Sequence, residues 1–136
     1  MIGTARQKRV FKTRLLRLAA FLRTVPKKRF NMRWWVGPGW TGDQTLSCGT
    51  SACAMGWAST MPEFRRLGLR LAPNHQIALR IPKTNRITTG GSTPFIVARK
   101  LFGLEEDEAN YLFGSMDHTP KTKVLQIRKF VKEVDA

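Results

Sequence analysis

The chain has 136 residues, 42% of them hydrophobic, and sets 24 lysines and arginines against nine acids, a formal net charge of +15. That length suits one domain with a real core, needing neither disulfides nor metals to fold. No apolar run nears the roughly 18 residues of a membrane span, and two cysteines are too few for a disulfide framework, so reduced thiols in the cytoplasm are expected.

The charge is unevenly spread. Residues 1–42 hold eleven basic residues and no acid, whereas residues 105–136 hold five basic and seven acidic. The chain reads as a basic front with a neutral to slightly acidic tail. Such a charge repels itself in the folded state, and a polyanion would relieve it. Counterion release makes nucleic acid the first candidate partner; an acidic protein surface and an anionic membrane compete with it. A merely solvated basic surface is the plain alternative.

Residues 6–25 predict an amphipathic helix. Phe11, Leu15, Leu18, Leu22 and Val25 recur at steps of four and three, and most cations fall off that stripe. The stripe is expected to face a core, and Pro26 to end the helix. An acid-free, arginine-rich N-terminus also reads as an organelle transit peptide, against the plainer surface helix. Lys27-Lys28-Arg29-Phe30-Asn31-Met32-Arg33-Trp34-Trp35 interleaves cations with aromatics, a pattern able to meet phosphates and stack on bases. At least one of the paired tryptophans belongs in the core. Trp40 lies in a Gly/Pro loop, as an anchor or as an exposed contact.

The run Ser47-Cys48-Gly49-Thr50-Ser51-Ala52-Cys53-Ala54-Met55-Gly56-Trp57-Ala58 is rich in small residues. It predicts a central buried helix over 49–61, hydroxyl-capped, ending before Pro62, with a packing reason for Gly56. Residues 69–81 alternate as a β-hairpin with arginines on one face. A third short strand is possible over 86–89. Thr93-Pro94 opens a helix that stops at Gly103; a second runs over 105–113, and Thr119-Pro120 opens a last one. The fold class is α+β: one domain over 1–136, about five helices with a small antiparallel hairpin.

Three stretches carry a resemblance: Cys48-Gly49-Thr50-Ser51-Ala52-Cys53-Ala54-Met55-Gly56-Trp57-Ala58, Phe30-Asn31-Met32-Arg33-Trp34, and residues 98–104 with 108–113. They resemble the CGTxxCxxGWA signature and flanking elements of a group of small uncharacterised phage and bacterial proteins. The resemblance implies a phage or mobile-element setting, a host-cell cytoplasm, and no activity that can be carried over. By analogy, such small proteins include anti-CRISPR and other anti-defence inhibitors.

Catalysis needs a thiolate, a base and an oxyanion donor. Cys48 before a helix start, with His75 or His118, is the only remote candidate, and nothing in the spacing brings these together. Cys48, Cys53, His75 and His118 do not follow a zinc spacing, and the 90–94 loop lacks a nucleotide-binding pattern. No catalytic residue, metal or cofactor is assigned. The expected function is non-enzymatic binding to nucleic acid or a nucleoprotein through Arg6, Lys8, Arg9, Lys12, Arg14, Lys27, Lys28, Arg29 and Arg33, with Trp34 or Trp40 stacking. Docking on an acidic or nucleic-acid-binding host protein, as an inhibitor, is the alternative; a cysteine-dependent hydrolase is the distant third.

Overall fold

The computed structural model describes residues 1–47, 49–72, 75–80, 93–114 and 119–134. Six α-helices and one two-stranded antiparallel sheet appear among them, an α+β arrangement with a small hairpin. In chain order these are α1 (Ala5–Leu22), a 3-10 turn (Lys27–Arg29), α2 (Ala54–Ala58), α3 (Pro62–Arg66), β1 (Leu69–Ala72), β2 (Gln76–Leu79), α4 (Thr93–Phe102), α5 (Glu106–Phe113) and α6 (Pro120–Glu133). None is long and apolar enough to cross a membrane.

α1 starts on a capping box, in which the Thr4 hydroxyl accepts from the Gln7 amide and the Gln7 side chain accepts from the Thr4 amide. Its Leu15, Leu18 and Leu22 are fully buried, each burial worth about 2 kcal/mol. The helix packs most extensively on α6 and also on α4 and α2. α6 has a capping box of its own, Thr119 with Thr122. Between α3, α4 and α5 the rings of Phe64, Phe102 and Phe113 join, with successive centroids 5.7 Å apart. The turn from α4 to α5 passes through Gly103 at φ +62°, and a Cβ there would stand 2.1 Å from the Phe11 ring of α1.

The central helix is much shorter than the sequence predicts. Residues 50–53 are not helical, because the backbone of Ser51, Ala52 and Cys53 is claimed by other stretches of chain. Ala52 bridges Phe30 on one side and Val36 on the other. Its amide donates to the Arg29 carbonyl (3.1 Å) and its carbonyl accepts from the Asn31 amide (3.0 Å). The Cys53 amide donates to the Trp34 carbonyl (2.8 Å) and Gly37 N–H to the Ser51 carbonyl (2.8 Å). The helix therefore begins only at Ala54, with Cys53 at the cap position and no side-chain cap bond, instead of a hydroxyl. The helix does end before Pro62, at Ala58, and Pro62 occupies the first turn of a further short helix, α3.

The hairpin forms in register Leu69↔Leu79 and Leu71↔Ile77. The Gln44 side chain pairs with the outer edge of β1: its Nε2 donates to the Leu71 carbonyl and its Oε1 accepts from the Leu71 amide. Arg70 is not a solvated face residue: its guanidinium turns back onto the Arg65 and Leu69 carbonyls. Residues 81–92, including the possible strand over 86–89, Cys48 and His118 lie outside the described residues.

Candidate nucleic-acid interface

The capped, amphipathic sequence of α1 turns its leucines inward and leaves Arg6, Arg9 and Arg17 exposed along its outer side. These three, with Arg66 from the last turn of α3, line an open groove between the two helices. Glu63 is the groove's one carboxylate among the described residues, and Arg17 reaches it at 3.3 Å on the surface. An exposed pair of that kind contributes little to stability, so the groove remains a strongly positive surface. Lys8 and Lys12 are half-buried on the neighbouring side of the helix. Lys27 and Lys28 follow, exposed on the 3-10 turn beyond the helix end.

Other cations of the basic front are engaged in the fold. Arg14 donates to the Leu101 carbonyl (2.8 Å) and lies against Phe11; burial lowers its pKa. Arg29 is held more firmly. Its guanidinium lies over the Trp57 ring (4.9 Å) and donates to the carbonyls of Leu46 and Thr50. In return Trp57 Nε1 donates to the Arg29 carbonyl (2.9 Å). A guanidinium with two carbonyls and a ring face is a packing element, so the sequence grouping of Lys27, Lys28 and Arg29 splits in space.

The aromatics divide too. Trp35 is half-buried, edge-on to Phe95 at 5.1 Å. Trp34, its neighbour, is 45% exposed beside the exposed Arg33. Trp40 anchors its loop: Nε1 donates to the Asp43 carbonyl and the ring meets His75 edge-on. Asp43 in turn gathers the amides and hydroxyls of Thr45 and Ser47, led by the Ser47 hydroxyl, which hold its carboxyl down to about 2.

The sequence division into basic front and acidic tail is not a division in space. Because α6 packs along α1, its exposed Lys121 and Arg128 come up beside Arg23 and Lys27 in a second groove. Averaging over 105–136 concealed this, since the acids cluster on α5 and the cations on α6. Spacing alone would have revealed Lys121, Leu125, Arg128 and Lys132 as one helical stripe.

Cys53 is fully buried, and desolvation pushes its thiol up to about 11. His75, the described imidazole, sits exposed at the hairpin turn with Trp40. Among the described residues Lys123 is the other buried ionisable group, its ammonium donating to the Leu112 carbonyl and to Gln126 Oε1. It caps the C-terminal end of α5, and burial lowers its pKa to about 8. No family model matches the chain, and neither a curated protein nor a solved structure is significantly similar to it.

Proposed function

We propose that this protein binds nucleic acid, without catalysis, by laying the outer face of α1 and the following 27–34 segment along a phosphate backbone in the cytoplasm. The observation that carries this is the α1–α3 groove, where Arg6, Arg9, Arg17 and Arg66 converge against one carboxylate among the described residues, Glu63. Four guanidiniums around one groove match phosphates as forked donors. Lys27, Lys28 and Arg33 are further exposed cations beyond the helix end, and the exposed Trp34 ring offers a stacking platform. Contacts of this type position a backbone more than they read bases.

The test is binding of the purified protein to labelled oligonucleotides between about 50 and 200 mM salt. Arg6→Glu/Arg9→Glu/Arg17→Glu should weaken binding at least ~10-fold, and the salt slope should fall by about 2 to 3, with melting behaviour retained. Salt-independent binding, or binding that survives this triple reversal, overturns the reading. The exposure of Trp34 beside Arg33 also suits an anchor on a protein partner, the inhibitor alternative. Capture of the same host protein after nuclease treatment would favour that reading.

A further inference from the structure

The second groove differs in character from the first. Arg23, Lys27, Lys121 and Arg128 rim it, and Val25, Val124 and Leu125 form its floor. No carboxylate lines it among the described residues. Its volume of about 640 Å³ exceeds an aromatic side chain several times over. Leu125 is 58% exposed, the most open large hydrophobic among the described residues. Bases stack on aromatic faces, and this floor is aliphatic, so it fits an apolar side chain flanked by carboxylates better than it fits a nucleotide.

The chain carries such a surface itself. Glu106, Asp107, Asn110 and Tyr111 are the exposed side of α5, and Tyr111 is 51% exposed. Asp107 and Tyr111 stand one turn apart on the same face. The neighbouring Glu108 is occupied by the Met1 amino group at 2.7 Å, whereas Glu106 and Asp107 have no ion-pair partner among the described residues. α5 cannot reach the groove of its own molecule. It docks on the far flank of α6, where Lys123 meets the Leu112 carbonyl and Gln126 the Tyr111 carbonyl. Lys121, Leu125 and Arg128 point the other way around the helix.

We propose that the α1–α6 groove receives the exposed face of α5 from a second copy of the chain. Tyr111 would cover Leu125 and Val124, and Glu106 and Asp107 would sit among Arg23, Lys121 and Arg128. Groove and α5 face are different patches, so the contact is heterologous and propagates head to tail. The patch is small and the net charge of +15 opposes it, so the free protein associates weakly. A polyanion bound along the α1–α3 side would neutralise that repulsion and hold neighbours at high effective concentration; this last step rests on the nucleic-acid reading.

The experiment mixes nitrogen-15-labelled and unlabelled full-length protein at about 100 mM salt, where charges beyond ~10 Å are screened. A zero-length carbodiimide then joins touching carboxylates and lysines. Mixed-isotope peptides linking Glu106 or Asp107 to Lys121 or Lys27 are expected. Their absence, or links spread evenly over other lysines, overturns the proposal. Glu106→Lys/Asp107→Lys should abolish them, and mixing it with Lys121→Glu/Arg128→Glu should restore association; a pair that stays separate also overturns it. On an oligonucleotide several sites long, the native protein should bind cooperatively and Glu106→Lys/Asp107→Lys non-cooperatively with equal or tighter single-site affinity. Non-cooperative native binding sinks the head-to-tail contact and leaves the nucleic-acid reading standing. Failure to bind any oligonucleotide sinks that reading, and the cross-links then decide the contact alone. A foreign acidic protein lost from the Lys121→Glu/Arg128→Glu variant, with no self cross-links, assigns the groove to another occupant.

Discussion

Gly56 lies directly beneath the carbonyl of Trp35: a Cβ on Gly56 would stand 2.0 Å from that oxygen and 2.6 Å from the Ala52 side chain. The contact lets α2 pack flush against the 34–37 segment. Alanine would gain about 1 kcal/mol of helix propensity, but the oxygen belongs to backbone that is already hydrogen-bonded on either side. Gly56→Ala is therefore expected to destabilise by about 1–3 kcal/mol net. Denaturant midpoints measure it; an unchanged or raised midpoint would mean that the segment yields.

Arg29 and its neighbours should separate stability from binding. Arg29→Lys removes the Nη2 bonds to the Leu46 and Thr50 carbonyls and the stack on Trp57, at a cost of about 2 kcal/mol. Its oligonucleotide affinity, per folded molecule, should stay within about twofold. Lys27→Glu/Lys28→Glu should do the reverse, weakening binding with little change in melting. If Arg29→Lys weakened binding and left stability intact, its guanidinium would face the ligand.

Lys123 gives a pH signature. Burial lowers its pKa from 10.5 to about 8, so the unfolded chain holds that proton more tightly than the folded one. The cost of burying the charge is complete below pH 8 and relieved as pH rises from 8 to 10.5. Cys53 works the opposite way. Its thiol is raised from 9.0 to about 11, so its contribution is full below pH 9 and lost between 9 and 11. The interval from pH 8 to 9 therefore isolates the lysine. Relative to Lys123→Met, the native chain should gain about 1 kcal/mol of unfolding free energy across it. Parallel curves for the two proteins would contradict this.

The buried thiol should also be inert. In a Cys48→Ser background, Cys53 is expected to react with a thiol reagent only as fast as the chain opens, and denaturant should accelerate the reaction. Cys53→Ala should retain oligonucleotide binding. Loss of binding by a folded Cys53→Ala protein would return the sulfur to the functional account.

Much of this fold was legible before the structure. α1 and α6 carry strong apolar periodicity and α5 an acidic first turn, and their ends agree within a few residues. The requirement for Gly56 was legible as well, though not its partner. What escaped depended on distant backbone. Thr50, Ser51 and Ala52 have helix-compatible neighbours, yet Asn31, Trp34 and Gly37 engage the backbone at Ser51, Ala52 and Cys53 first. Pro62 marks where the preceding helix must stop, but not that it opens another one. The site was legible as a charge and illegible as a surface. Nothing in Lys27-Lys28-Arg29 says which cation lies over Trp57, and the cations of α6 were hidden by the acids of α5 in the same stretch.

The crossing at Ala52 has a consequence for how the molecule opens. α2 has only five residues, too few to persist without outside support. Its support is one short extended piece clasped by Phe30 and Val36, segments far away along the chain. The amides of Asn31, Gly37, Ala52 and Cys53 should therefore exchange with deuterium as a single unit, released together or not at all. Opening that unit would free Arg29 and Trp57 at once, so the short helix and the root of the basic 27–34 segment live or melt as one body.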